Sequence, residues 1–110
     1  MMGVFEEYFP KRYLEVFENG TSLEERLKQG SEGVSLVFTD NSMPGIDGSE
    51  IIRKYYQTKE FKRIPFILFT AEENVGERLE KEGLCVYLAK PSPINVIIEA
   101  INKVSPYTIK

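Results

Sequence analysis

The sequence predicts an α/β fold in which a parallel sheet is covered by helices on both faces. Short apolar runs alternate with amphipathic stretches along the chain, an order typical of βαβ units with right-handed crossovers. The 110 residues suit one domain, so we expect residues 1–110 to form a single unit. Seven Phe and six Tyr, with many aliphatic residues, are enough for one core.

Four apolar runs predict the strands. Pro65–Phe69 is the most continuously apolar of them, as expected for a strand buried on both faces. A turn signal, Asn19-Gly20, closes the first run. In chain order the predicted strands are Tyr13–Phe17, Ser35–Thr39, Pro65–Phe69 and Cys85–Ala89.

The first two helices are predicted from a capping pattern and from an apolar face. Ser22 is interpreted as a hydroxyl N-cap, because Glu25 follows three residues later as in a capping box. Gly30 has the place of a C-terminal glycine cap, so the first helix ends before it. The second helix is predicted over about Ser49–Gln57.

The last two helices follow the third and fourth predicted strands. A polar helix is expected over about Glu73–Lys81, and Gly83 ends it. Ser92 is predicted as the N-cap of the final helix, with Pro93 as its first residue. The apolar residues of that helix recur along one face: Ile94, Ile97, Ile98, Ile101 and Val104.

The composition excludes several classes of function. Histidine is absent and Cys85 is the one cysteine, so His-based catalysis, cysteine zinc sites and an internal disulfide are excluded. A net charge of −3 argues against duplex nucleic acid as a partner. No apolar run approaches the about 20 residues that cross a membrane, and no secretory leader is evident. We therefore expect a cytoplasmic chain.

Three polar residues stand at the carboxyl ends of successive predicted strands. Asp40 follows the second strand, Thr70 the third and Lys90 the fourth. In parallel sheets these ends form the functional edge, so we expect the three side chains to converge there, with the amine within hydrogen-bonding reach of the carboxylate. A carboxylate can accept a phosphoryl group, a lysine can balance its charge, and a hydroxyl can bond the added oxygens.

The same residues carry a family resemblance, which runs from about Tyr13 to Val104. The chain resembles the receiver domain of bacterial two-component response regulators. The matching segments are the loop Asp40-Asn-Ser-Met-Pro-Gly-Ile-Asp-Gly48, the pair Thr70-Ala71, the pair Lys90-Pro91, and Tyr87, three residues before the lysine.

The resemblance implies a fold and a set of roles. The fold would be a flavodoxin-like three-layer sandwich with strand order 2-1-3-4-5. Asp40 would be the nucleophile that takes a phosphoryl group from a partner kinase's phosphohistidine, from a phosphotransfer protein or from a small donor. Lys90 would pair with the phosphate, Thr70 would bond a phosphoryl oxygen, and Tyr87 would pass the change to an output partner. Asp40 and the main-chain carbonyl of Ser42 would help to hold Mg²⁺.

The opening residues depart from the family pattern, because twelve residues are too few for the usual strand and helix. In the first hypothesis the aromatic residues there form the tail of the first helix, and the opening strand is missing. In the second, Met1–Phe5 is that strand, and Glu6-Glu7 replaces the acidic pair that holds the metal. The first is favoured, because residues 10–13 resemble a helix-to-strand linker. The aromatic face in question comprises Val4, Phe5, Tyr8 and Phe9.

Two classes of function remain open. One is a phospho-accepting receiver, and the other is a pseudo-receiver that keeps the fold and binds proteins without phosphorylation. A hydrolase of the haloacid-dehalogenase type also uses a strand-end aspartate, but it needs an acid where Ser42 stands. A missing first strand would leave strand edges unpaired, so we also expect self-association.

Overall fold

The computed structural model describes residues 15, 17 and 19–104, in which helices and strands alternate. This alternation matches the order predicted from the apolar runs. The elements are α1 (Gly20–Lys28), β1 (Val37–Asp40), α2 (Gly48–Tyr55), β2 (Phe66–Thr70), α3 (Glu73–Lys81), β3 (Val86–Ala89) and α4 (Ile94–Val104).

The described strands form a parallel sheet in the order β1-β2-β3. The register places Asp40 beside Phe69, and Thr70 beside Ala89. Three of the four predicted strands are therefore present, in a parallel sheet as expected. The first predicted strand, Tyr13–Phe17, falls outside the described residues except for Glu15 and Phe17. Both hypotheses for residues 1–12 also lie outside them.

Apolar side chains cover both faces of the sheet. Every residue of β2 is buried, which confirms the prediction from its unbroken apolar run. One face packs against α1, α2 and α3 through Leu23, Leu27, Ile51, Ile52, Phe66, Leu68 and Leu79. The other face packs against α4 through Ile67, Phe69, Leu88, Ile97 and Ile101. With helices packed on each of its faces, the sheet is the middle of three layers, which confirms the predicted arrangement.

Two predicted N-caps are wrong. The cap of α1 is Asn19, whose side-chain oxygen accepts a hydrogen bond of 2.8 Å from the amide of Ser22. Ser22 therefore lies within the first turn and is not its cap. At the start of α4, the hydroxyl of Ser92 donates instead to the carbonyl of Ala89, at 2.5 Å. The amides of the first turn of α4 bond to the carbonyl of Pro93.

The predicted C-terminal glycines are confirmed. Gly30 and Gly83 each follow the C-cap of a helix with positive φ, of 107° and 79°. A residue with a Cβ is strained in this conformation, which is why glycine ends these helices. In the described part of the chain, no helix is long and apolar enough to cross a bilayer.

Candidate phospho-acceptor site

The structure brings Asp40 and Lys90 together at the carboxyl edge of the sheet. Asp40 ends β1 and lies in register with Phe69 and Leu88. Lys90 is two residues beyond Leu88. The side chains of Asp40 and Lys90 therefore lie on the face of the sheet that α4 covers. Lys90 Nζ is 2.7 Å from Asp40 Oδ1, and the two side chains are 35% and 34% exposed. The predicted pair is present, and solvent reaches both members.

Beyond the ion pair, the described contacts of Lys90 and Asp40 differ. Lys90 Nζ also lies 5.2 Å from the centre of the Phe69 ring, a cation–π contact that fixes the amine over the sheet. Asp40 Oδ1 is enclosed, and among the described residues no donor meets it with hydrogen-bond geometry. An ion pair requires only proximity, whereas a hydrogen bond also requires direction. Within the part of the chain that the structure describes, Oδ1 is therefore balanced by the charge of Lys90 and not fixed by a directed hydrogen bond.

Thr70 ends β2 at the same edge, but its hydroxyl is engaged by Glu72. The hydroxyl accepts a 2.9 Å hydrogen bond from the Glu72 amide, and it lies 3.4 Å from Glu72 Oε2, to which it donates. The main chain links Thr70 to the lysine, because the amide of Lys90 donates to the Thr70 carbonyl at 3.1 Å. The main-chain carbonyl of Thr70 is therefore hydrogen-bonded to Lys90, whereas its hydroxyl is hydrogen-bonded to Glu72.

Glu72 and Asn41 are functional candidates that sequence reasoning missed. Asn41 is only 4% exposed. Its Oδ1 accepts a 2.9 Å bond from the amide of Ser49, at the start of α2. Its Nδ2 donates to Glu72 Oε2, to which the hydroxyl of Ser42 also donates at 3.3 Å. One glutamate oxygen therefore gathers donors from the loops after β1 and β2.

A glycine allows the loop after β1 to fold back on Asp40. A Cβ built on Gly48 would stand 2.0 Å from the Asp40 carbonyl oxygen, where no side chain fits. The amide of Gly48 instead donates to the Asn41 carbonyl at 2.8 Å. The start of α2 is thereby held against the backbone of Asp40. This close approach gives the final glycine of the loop motif its physical reason.

Tyr87 lies in β3 and faces α3. Its register partner is Leu68, which puts it on the same face as the side chain of Thr70. The ring is half-buried, and the amide of Tyr87 donates to Glu80 Oε2 at 2.9 Å. Burial, with the nearby carboxylates Glu73, Glu77 and Glu80, raises the pKa of the phenol.

The donors for a metal ion fit in kind but are incomplete among the described residues. The enclosed oxygen of Asp40 is a hard donor of the type that Mg²⁺ prefers. Within residues 19–104 and the two described residues before them, no group of three or more acidic, cysteine or histidine side chains gathers to hold an ion. The candidate acidic pair, Glu6-Glu7, lies outside the described residues.

Comparisons with known proteins identify the family of the chain. A family model described as the response regulator receiver domain matches residues 5–102. The chain is 35% identical over 77 residues to the two-component response regulator ARR15 of Arabidopsis thaliana, covering 67% of this chain and 34% of that protein. It is 29% identical over 89 residues to the chemotaxis protein CheY1 of Helicobacter pylori, covering 79% and 71%. The chain thus spans about a third of the length of ARR15.

Solved structures show the same fold. The response regulator LqsR of Legionella pneumophila matches with a TM-score of 0.65 and 28% identity, covering 81% of this chain and 34% of that one. The Mn²⁺-bound form of response regulator Rcp1 matches with a TM-score of 0.64 and 23% identity, covering 88% and 78%. These neighbours confirm the flavodoxin-like fold class. The chain belongs to the family of response regulator receiver domains, the receiving modules of two-component signalling.

Proposed function

We propose that the chain accepts a phosphoryl group on Asp40 and passes the change to a partner through Thr70 and Tyr87. The observation that carries the proposal is the pairing of Asp40 with Lys90 at an edge that solvent reaches. A nucleophilic carboxylate needs a nearby cation for the charge that phosphoryl transfer adds, and it needs access for the donor. Residues 1–110 would act as one receiver unit.

The transfer step is a displacement at phosphorus. An oxygen of Asp40 forms the new bond to phosphorus, and the bond from phosphorus to the donor breaks. The donor leaves as acetate from acetyl phosphate, or as the imidazole of a histidine kinase or phosphotransfer protein. Water later hydrolyses the acyl phosphate, which restores the carboxylate and releases inorganic phosphate. Lys90 would stay paired with the added negative charge throughout.

Thr70 would exchange partners when the phosphoryl group arrives. Its hydroxyl now donates to Glu72 Oε2 at 3.4 Å, longer than the usual hydroxyl hydrogen bond. A phosphoryl oxygen is a strong acceptor that would compete for this donor. Movement of Thr70 would be felt by Tyr87, because the two residues share one face of adjacent strands. This is the route by which we propose that the site reaches an output partner or a second copy of the chain.

A divalent cation belongs to the proposal. Mg²⁺ would be held by Asp40 and by the carbonyl of Ser42, together with acidic residues from the N-terminal segment. When bound, the ion neutralises charge on the oxygens of the phosphoryl group. The structural neighbour Rcp1, which shares this fold, is described in a Mn²⁺-bound form.

The test is incubation with acetyl phosphate and Mg²⁺, followed by intact-mass measurement. The wild-type chain should gain the mass of one phosphoryl group, and Asp40→Asn should gain none, since an amide is not a nucleophile here. Asp47→Asn is the matched control, because Asp47 lies in the same loop and only precedes α2. Labelling that survives in Asp40→Asn would move the acceptor elsewhere. A wild-type chain that is never labelled would favour the pseudo-receiver instead.

A further inference from the structure

The Tyr87 ring lies directly on the backbone of α3 at Gly76. A Cβ built on Gly76 would stand 2.2 Å from Cδ1, 2.4 Å from Cε1 and 2.7 Å from Cγ of that ring. Real Cβ atoms do not approach a ring this closely. Gly76 is buried in the interior of α3, and glycine is among the poorest residues for a helix interior. The helix therefore has a notch where the ring rests.

We propose that Gly76 is the positioning residue for Tyr87: the missing side chain at this site sets the resting place of the ring on the face formed by α3 and β3. A Cβ at position 76 could not move away from the ring, because the backbone of α3 fixes its position. A single methyl group would remove this resting place. The ring would have to leave, either toward solvent or along the sheet toward Thr70, which lies on the same face.

The consequence for switching rests on the proposed function of Asp40. If Tyr87 passes on the phosphorylated state, the notch holds the unphosphorylated arrangement and phosphorylation lifts the ring from Gly76. Linkage then requires the reverse effect as well. Removing the notch favours arrangements in which the ring has already left, so Gly76→Ala should take up phosphate from acetyl phosphate faster than the wild type.

The packing can be tested without phosphate, by NMR on the full chain. The wild type should show nuclear Overhauser contacts between the Gly76 α protons and the ring protons of Tyr87. Their absence would overturn the proposal whether or not any variant folds. In Gly76→Ala the phenol should titrate closer to its ordinary range, since a displaced ring leaves the burial that raises its pKa.

A double-mutant comparison separates the ring contact from helix propensity. Gly76→Ala should lower the urea midpoint in the wild-type background and raise it in the Tyr87→Ala background, where the methyl group has space. Asn74→Ala, an exposed change in the same helix, should raise the midpoint in both backgrounds. An equal shift from Gly76→Ala in both backgrounds would show that the ring and the glycine are not coupled, and would overturn the proposal.

The final measurement repeats the NMR after acetyl phosphate treatment. Loss of the Gly76–Tyr87 contacts in the labelled protein supports the switching role. Labelled protein in which the contacts are unchanged would overturn that role and leave the notch as packing alone. If no label is taken up, the proposed function of Asp40 fails, while the contacts in the unlabelled protein still decide the proposal about Gly76.

Discussion

The amine of Lys90 lies 2.7 Å from Asp40 Oδ1 and 5.2 Å from the centre of the Phe69 ring. The cation is thus held from two sides by residues of β1 and β2, although it follows β3. This placement results from parallel strands, which bring their carboxyl ends to one edge. A cation held in this way needs little rearrangement to stabilise new negative charge on the carboxylate.

Replacing the amine should separate phosphorylation from stability. We expect Lys90→Met to slow phosphoryl uptake from acetyl phosphate by on the order of 10²-fold, because a preorganised charge is lost. The free energy of unfolding should change by less than about 1 kcal/mol, since both partners are a third exposed. Mass spectrometry gives the rate, and urea unfolding gives the stability. An unchanged rate, equal to that of the exposed-site control Lys103→Met, would contradict the role of Lys90.

Removing the charge of Glu72 should have the opposite effect on uptake. The Glu72 carboxylate is bonded to Thr70 and Asn41, so it adds negative charge near the position that a phosphoryl group would take. Glu72 is exposed, and charges separated by water interact by about 1 kcal/mol or less, so Glu72→Gln should speed uptake by up to about fivefold. Glu73→Gln is the matched control, one residue along the chain. Equal rates for the two variants would exclude the charge effect.

The pair Glu24–Lys54 predicts a dependence of stability on acid. A hydrogen bond from Lys54, at 2.5 Å, lowers the pKa of Glu24, which is 7% exposed. A lowered pKa in the folded state gives stability above the unfolded carboxyl value of about 4.3, and that stability is lost as pH falls through the folded value. Lys54→Met should therefore lower the free energy of unfolding at neutral pH, by an amount limited by the exposure of the lysine.

The measurement for this pair is urea unfolding at neutral pH and at about pH 3. The difference between Lys54→Met and wild type should shrink as pH falls through the lowered folded pKa of Glu24, because protonation of the carboxylate removes the ion pair. Lys59→Met, an exposed change in the turn after α2, serves as the control and should match the wild type throughout. A deficit in Lys54→Met that is the same at both pH values would mean that packing, not the ion pair, is responsible.

The thiol of Cys85 should be unreactive near neutral pH. Burial, with a smaller contribution from Glu80, raises its pKa to about 11. Alkylation by iodoacetamide requires the thiolate, so its rate should still be rising at about pH 10 in the folded chain. The urea-unfolded chain should approach a plateau above its ordinary pKa of about 8.5. Because the folded pKa is raised, this thiol also predicts a loss of stability as pH rises from about 8.5 toward 11. A plateau near pH 8.5 in the folded chain would contradict the burial.

The residues at the strand ends could be predicted because they follow from topology. Once the apolar runs indicate a parallel sheet, Asp40 and Lys90 are expected at the same carboxyl edge. Apolar runs report burial directly, which is why β2 was identified within one residue at each end. The helix starts were harder, because polar residues stand side by side. Asn19 and Ser22 both suit an N-cap by type, and only the extended backbone of Asn19 makes it the cap.

The residues that sequence reasoning missed act across loops. Glu72 meets Asn41 although the two are 31 positions apart, and no local pattern signals such a bond. A glutamate two residues after a strand-end threonine does suggest a local bond to its hydroxyl, but not the reach to the other loop. The role of Gly76 could not be predicted either, because the sequence of a polar helix does not show that the ring of Tyr87 packs on this glycine.

The two hydrogen bonds made by the side chain of Asn41 have a consequence for amide hydrogen exchange. Its side chain holds the Ser49 amide with one atom and Glu72 with another. Ser49 lies in the first turn of α2, where a backbone amide has no helical carbonyl to bond, so the side chain of Asn41 is what shields it from solvent. Any local opening that swings Asn41 out releases the start of α2 and the beginning of α3 in the same event. The Ser49 amide therefore reports on the loop after β2, although its own hydrogen bond is to Asn41. Its deuteration rate should follow the motion of that loop.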